Sequence, residues 1–316
     1  MRFLKFMLKA FIGLICGVLC IAILVLGGLN LAKFAIYSDY YAIRESIAKN
    51  PGLSDGFVCQ GIGVTDDGKH ILVSGYMNDD SASRIYITDK ENNSRFVTVT
   101  DEDGNAYDGH MGGIAVHGDK AYVASGKKIN IISLDRLLSA ECGTAVAFED
   151  RISTNNSASF IYASQDYLYV GEFHDGGKYV TDHKYTTPEG ERYAIASRYS
   201  YDDLTKPDRV YSIPNKVQGI CFTPDGKIVL STSYGLSDSV YYVYSEDKCI
   251  LSKNTLDGAP VYYLDACERQ VKGPAMAEGL AYLDGKVITL TESASDKYIF
   301  GKFFFAYYIV GLDFGE

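Results

Sequence analysis

Apolar positions along the chain fall into two regimes. From Ala10 to Ala32 they form an unbroken run whose only strongly polar member is Asn30, and Arg2, Lys5 and Lys9 precede it. About 20 apolar residues, at 1.5 Å rise each, cross a hydrocarbon core. The run therefore predicts a membrane-spanning helix. Its basic flank predicts a cytoplasmic amino end, with everything after Lys33 outside. A cleaved signal peptide would have a shorter apolar region and a small-x-small site. Asn30-Leu31-Ala32 is a poor site, so the expectation is an uncleaved anchor. After the run the pattern changes to short apolar or alternating stretches broken by Asp-Gly and Gly-Asp, which read as strands joined by hairpin turns.

One phrase recurs among these stretches: a Gly-hydrophobe pair, a turn, then an apolar strand. It reads Gln60-Gly61-Ile62 before Asp67-Gly68-Lys69, and Gly112-Gly113-Ile114 before Gly118-Asp119-Lys120. It returns as Gln218-Gly219-Ile220 before Asp225-Gly226-Lys227, and as Glu278-Gly279-Leu280 before Asp284-Gly285-Lys286. A weaker copy, Ser159-Phe160-Ile161 before Gln165-Asp166, fills the gap. A period of roughly 50–60 residues marks a repeat architecture. The first repeat predicts strands at 59–65, 71–75, 84–88 and 95–100; the second at 113–116, 121–124, 129–133 and 145–148. The third predicts 160–163, 168–171, 193–197 and 209–213; the fourth 219–222, 228–231, 240–244 and 261–264; the fifth 279–282, 287–291 and 304–310.

Four antiparallel strands per radial repeat describe a β-propeller. The expected fold is all-β, with five four-stranded blades, or six or seven if a degenerate blade hides in the insertions. A β-sandwich would not generate such a repeat. The division is 1–32 as cytoplasmic tip and transmembrane anchor, 33–56 as juxtamembrane linker or stalk, and 57–316 as propeller. The segment before the first repeat has two readings. It supplies the strand that the fifth repeat lacks, or it forms a short stalk helix, since Tyr40, Ile43 and Ile47 fall at helical spacing before Asn50-Pro51-Gly52. The polar insertion at 175–192 reads as a surface loop.

Composition sharpens the picture. The 316 residues are 47% hydrophobic and 22% charged, enough for one large globular unit. A net charge of −10 argues against nucleic-acid binding, which needs a basic stripe. Tyr (26 residues) and Phe (15) are abundant and Trp is absent. Tyr and Phe suit pleated, half-buried surfaces, and a Tyr rim also suits ligand stacking. Of seven Cys, two lie in the apolar run, and an odd number remains. Cys59 and Cys221 read as small core residues, while Cys249 and Cys267 flank a loop-like stretch and are candidates for a bridge. No Cys or His cluster has zinc spacing.

The Gly-Ile and Asp-Gly-Lys phrases, with PGLSDGFVCQGIGVTDDGKHILVSGYM at 51–77 and His110-Met111-Gly112-Gly113-Ile114-Ala115, resemble the YncE-like, NHL-like and gluconolactonase/SMP-30-like propellers. They most resemble uncharacterised secreted bacterial members. The resemblance covers about residues 51–316 and implies the fold; propellers host hydrolases, lyases, lectins and scaffolds alike. Gluconolactonase-like enzymes hold a divalent metal at the tunnel through a Glu-Gly-Pro phrase. The nearest match here, Glu278-Gly279-Leu280, lacks the Pro.

In a propeller the starts of the inner strands and the loops after the second strands share one face. That face gathers Gln60, His110, Ser159, Gln218 and Glu278 from the first set, and Tyr76, Glu172, His174, Ser233, Tyr234 and Glu292 from the second. Convergent polar groups in a concave site are the default binding-site expectation. Gln60, Tyr76, His110, Glu172, His174, Gln218, Tyr234, Glu278 and Glu292 are the candidate ligand-binding residues. Glu172 and Glu278 are the candidate metal ligands, for a divalent cation such as calcium. Glu172 and His174 alternate on one side of an extended segment, so with Glu278 or Glu292 they are also candidates for acid–base work. The same groups equally form a hydrogen-bonded belt that satisfies buried strand ends. His183, in the insertion, carries no signal.

No nucleophile elbow, phosphate-binding loop, dinucleotide fingerprint or zinc-protease motif is present. Three readings follow. The leading one is a single-pass, membrane-anchored extracytoplasmic propeller that binds a small ligand or protein partner at its funnel and contacts the membrane through residues 10–32. The others are a metal-assisted hydrolase or lyase in the central funnel, and a structural platform at the cell envelope.

Overall fold

In the computed structural model, residues 2–298, 301 and 306–315 are described. The apolar run lies within one helix, α1 (Arg2–Ile36), long and apolar enough to cross a membrane. Tyr37 separates it from a short helix, α2 (Ser38–Ile43), which leads directly into β1 (Arg44–Lys49).

The body is a five-bladed propeller. Blade one comprises β2 (Phe57–Val64), β3 (Ile71–Met77), β4 (Arg84–Thr88) and β5 (Ser94–Thr100), paired in sequence order. Blade two comprises β6 (Gly113–His117), β7 (Lys120–Ser125) and β8 (Lys128–Ser133). The chain then forms β9 (Ala145–Ala147) before closing the blade with β10 (Asp150–Ser153). Blade three uses β11 (Phe160–Ala163) and β12 (Tyr167–Gly171). A hairpin of β13 (Tyr185–Thr187) and β14 (Gly190–Arg192) follows, then β15 (Ala194–Ser200) and β16 (Arg209–Ile213). Blade four uses β17 (Val217–Phe222), β18 (Lys227–Thr232) and β19 (Ser239–Ser245). The strands β20 (Ile250–Leu256) and β21 (Ala259–Tyr263) intervene before the outer strand β22 (Arg269–Gly273). Blade five uses β23 (Ala277–Leu283), β24 (Lys286–Thr291) and β25 (Tyr308–Leu312).

The missing strand of blade five is β1. It runs antiparallel to β25, with Arg44 opposite Leu312 and Lys49 opposite Tyr308. The amino-terminal segment thus ties the ring shut. Of the two readings of that segment, the helix holds only to Ile43, and the ring already includes residues that the division at 57 assigned to a linker. The helical spacing ends there because Arg44–Lys49 finds an unpaired strand edge, and pairing that edge satisfies backbone groups that a lone helix would leave to solvent.

Two expected outer strands fall elsewhere. The stretch at 145–148 pairs in parallel with β5 of blade one, and 261–264 contributes to β21, which pairs in parallel with β16 of blade three. Both are apolar, as the pattern indicated, but each covers a neighbour's exposed edge while a more polar strand completes its own blade. The insertion at 175–192 is partly a hairpin rather than plain loop. The expected strand at 304–310 begins outside the described residues, and its described part is β25.

The recurring glycine has a steric cause. A side-chain carbon on Gly61 would lie 2.5 Å from the backbone of Gly113 and Ile114, and one on Gly113 would lie 2.5 Å from Ile161 N. One on Gly219 would lie 2.7 Å from Leu280 N, and one on Gly279 3.0 Å from Ile62 N. The inner strands of neighbouring blades meet backbone to backbone, which only glycine permits. Hydroxyls brace the same ring: Ser74 donates to the Met111 carbonyl (2.9 Å), and Ser231, its counterpart in blade four, to the Glu278 carbonyl (2.7 Å).

Cys249 and Cys267 are free thiols. Each packs on the large core cluster, and Cys267 Sγ donates to the Arg269 carbonyl at 3.4 Å.

Candidate functional site

Each inner strand begins at one end of the axis, and each second strand returns there, so a single funnel collects side chains from all five blades. It encloses about 520 Å³. Gln60 and Tyr76 come from blade one, His110 from the entry to blade two, Phe173 and Lys178 from blade three, Gln218 and Tyr234 from blade four, and Glu278 and Glu292 from blade five. The other end of the axis is narrow and largely apolar, about 60 Å³ between Ile62, Val116, Ala281 and their neighbours. The funnel therefore stands on an apolar plug.

Two carboxyl groups dominate its wall. Glu278 is 2% exposed. Burial, reinforced by the charge of Glu292, holds its carboxyl well above the usual range. Glu292 is half-buried, and burial pushes it to about 7, although Tyr298, Lys297 and Gln60 favour its charged form. Gln60 Nε2 donates to Glu292 Oε2 at 2.8 Å, Tyr298 Oη donates to the same oxygen at 3.2 Å, and Gln218 Nε2 reaches Glu278 Oε1 at 3.4 Å. The repeated glutamines thus each address one acid. Burial therefore favours the protonated, hydrogen-bond-donating form of Glu278, and Glu292, at about 7, stands near its midpoint. That pair can donate to a hydroxyl, accept from an amine, or exchange a proton.

Aromatic rings line the adjoining part of the wall. Tyr76 and His110 stack with ring centres 4.1 Å apart and planes within 4°. Lys297 donates to the Tyr76 hydroxyl. Burial and the nearby Lys297 and Lys178 charges lower the His110 pKa, which favours a neutral imidazole. Phe173, Tyr179 and Tyr234 form a second aromatic group, the latter two with Lys178 and Lys216 ammonium groups over their rings.

Seven of the nine sequence-selected residues line this funnel: Gln60, Tyr76, His110, Gln218, Tyr234, Glu278 and Glu292. Glu172 and His174 do not. Glu172 lines a neighbouring cavity of about 230 Å³, where its Oε1 lies 2.6 Å from His183 Nδ1 and accepts from Ile195 N at 3.2 Å. His174 is buried, bonded to Thr181 through Nδ1 at 2.9 Å and stacked on Tyr193. The expected metal pair, Glu172 and Glu278, is split between two cavities because Glu172 turns away from the axis toward the insertion. Among the described residues no three His, Cys, Asp or Glu side chains gather in a metal-holding group.

Sequence reasoning did not select Lys178, Tyr179, Lys297 or Tyr298, all of which line the funnel. Each lies several residues beyond a second strand, and only the length of those loops hinted that they fold back over the mouth. It also passed over His183, whose partner Glu172 lies eleven residues earlier, directly after β12.

No protein-family model matches the chain, and no curated protein sequence matches it. Solved structures do. The PQQ-bound form of an aldose sugar dehydrogenase from Streptomyces coelicolor matches at 15% identity and TM-score 0.44, over 78% of this chain and 76% of that one. The WD40 β-propeller domain of Doa1 matches at 11% identity and TM-score 0.41, over 78% and 79%. A nidogen/laminin complex matches at 9% identity and TM-score 0.40, over 75% and 73%. The neighbours accord with a propeller fold, and likeness of this degree carries no argument about ligand or activity.

Proposed function

We propose that this chain is a membrane-anchored, extracytoplasmic propeller whose funnel binds a small polar ligand bearing hydroxyl or amine groups. The observation that carries the reading is the convergence of side chains from all five blades on one cavity, where two carboxyl groups of raised pKa stand beside stacked rings. Glu278, whose burial favours the protonated form, donates to a hydroxyl or carbonyl. Glu292 accepts from a hydroxyl or amine. Tyr234, and His110 backed by its stack on Tyr76, offer ring faces for the ligand's apolar side. The basic residues before the apolar run support a cytoplasmic amino end. Kinship with the YncE-like and gluconolactonase-like propellers belongs to this reading through the Gly-Ile and Asp-Gly-Lys phrases.

The test is thermal denaturation of the full-length protein in detergent, followed by circular dichroism, against a panel of sugars, polyols, amines, amino acids and calcium ions. A true ligand at a hundred times its Kd stabilises by about 2.7 kcal/mol. At least one hydroxyl- or amine-bearing member raises the midpoint, and the rise disappears in Gln218→Ala and Glu292→Gln. A panel without effect, or an effect indifferent to both substitutions, overturns the reading. A response to calcium alone would favour the metal-assisted alternative.

A further inference from the structure

The end of the propeller that carries the funnel is also the end that the membrane helix meets. The strand directions fix this. The loop between β18 and β19 lies at the funnel end, since Ser233 and Tyr234 within it line the funnel. Tyr37, the residue directly after α1, donates its hydroxyl to Asp238 of that loop at 3.0 Å. At the other end of α2 the Ile43 carbonyl accepts from Asp313 N at 3.0 Å, below the last strand and away from the funnel. The chain thus enters the body at the funnel rim and only then descends its side.

There is no slack at the junction. Tyr37 N bonds to the Lys33 carbonyl and Tyr41 N to the Tyr37 carbonyl, each at 2.9 Å, so helical bonding continues on both sides of the junction. Tyr40 is 1% exposed and stacks on Tyr241 with ring centres 6.1 Å apart. The apolar run ends at Ala32. Five residues of helix rise about 7–8 Å, so the rim at Asp238 stands within the headgroup layer of whatever bilayer α1 crosses.

The apolar side chains that the fold leaves exposed have the same distribution. Among the described residues outside α1, the exposed large apolar ones are Tyr179, Val180, Tyr234, Leu236, Tyr307 and Tyr308, together with Ile250 and Leu251. The first six all lie at the funnel end, in the loops after β12 and β18 and at the entry to β25. Ile250 and Leu251 lie at the start of β20, on the outer edge of blade three, opposite Tyr263 and Tyr262 of β21. Four tyrosines with a valine and a leucine make the composition of a membrane interface, where amphipathic rings settle at headgroup level. Lys178 and Lys216, with ammonium groups 5.1 Å and 5.5 Å from the Tyr179 and Tyr234 ring centres, can extend to lipid phosphates while their stems stay on apolar surface. Among the described residues, no other part of this acidic protein has such a belt.

We propose that the funnel end is a bilayer-docking surface: the propeller rests mouth-down on the membrane that holds α1, and its funnel opens onto the lipid headgroups. The inference rests on the reading of α1 as a membrane span, and its occupant is the bilayer interface itself, not a second copy or a protein partner.

The absence of Trp from the chain makes a clean test. Single substitutions Leu236→Trp, Val180→Trp, Lys120→Trp and Leu24→Trp are made in the full-length protein and reconstituted into phosphatidylcholine nanodiscs, with and without bromine on the acyl chains. Leu24→Trp reports the anchor, and Lys120→Trp, exposed in the β6–β7 turn, the far end. Leu236→Trp and Val180→Trp show blue-shifted emission and at least twofold quenching by brominated lipid, less than Leu24→Trp, while Lys120→Trp is unchanged. If Leu24→Trp is quenched and the two rim positions behave like Lys120→Trp, the anchor stands and the docking surface is wrong. If Leu24→Trp itself escapes quenching, α1 does not span, and the inference falls with it.

Discussion

Gly61 and Gly113 lie so close across adjoining inner strands that a side-chain carbon on the first would stand 2.5 Å from the Cα of the second. That contact is the physical content of the repeated Gly-Ile phrase. Gly61→Ala forces backbone against backbone, which no rotamer change relieves. It should destabilise the propeller by about 3 kcal/mol, at the upper end of overpacking effects, read as a lower midpoint in urea. An unchanged midpoint would mean that the inner strands are farther apart than described.

The ring is closed by the segment that follows α1. Tyr40 is buried against Tyr241 and Gly273. Tyr40→Ala removes a large aromatic from a sealed site and should cost about 3–5 kcal/mol, whereas Tyr40→Phe should cost far less. Cysteines placed at Ser46 and Val310, which face each other in the β1–β25 ladder, should cross-link on oxidation and raise the midpoint.

Stability should fall as pH rises. The unfolded Glu292 carboxyl loses its proton near 4.5 and the folded one near 7. Between those values the folded state holds the extra proton, so raising pH through this window removes stability, and below it the contribution is fully present. Glu278 acts in the same direction. Glu292→Gln should flatten the decline in a series of thermal midpoints from pH 4 to pH 8. A decline of undiminished size in that variant would place its origin elsewhere.

The thiols should sort by burial. Cys142 is exposed, whereas Cys59 and Cys221 are buried. Burial pushes the Cys221 and Cys249 thiols up to about 12. In detergent, iodoacetamide at pH 8 should modify Cys142 within minutes and leave Cys59, Cys221 and Cys249 until the protein unfolds, with no reductant needed. A Cys249–Cys267 disulfide in mass spectra of the unreduced protein would contradict the free thiols described.

Much of the architecture was legible in the sequence because the repeat encodes a steric requirement. Each Gly-hydrophobe pair marks an inner strand, and the following Asp-Gly or Gly-Asp turn returns the chain to the funnel end. That order alone brought Gln60, Gln218 and Glu278 to one cavity. Outer strands were harder to read. Ala145–Ala147 and Ala259–Tyr263 satisfy the same apolar pattern as a fourth strand, yet they pair with a neighbouring blade. Pattern records that a strand is half-buried, not which edge covers it. Glu172 misled for a related reason: alternation placed it beside His174, but His183 from the insertion draws it off the axis. Lys297 and Tyr298 were invisible because only the path of a loop brings them over the mouth.

Burial raises both funnel carboxyls, Glu292 to about 7 and Glu278 well above the usual range. Carbon-13 spectra of the full-length protein, labelled at glutamate side-chain carboxyls and titrated from pH 4 to pH 9, test this without knowledge of any ligand. One carboxyl signal should titrate near 7 and be lost in Glu292→Gln, and a second should titrate well above the ordinary glutamate range and be lost in Glu278→Gln. A full set of signals titrating at about 4–5, the ordinary range for exposed glutamates, would contradict it.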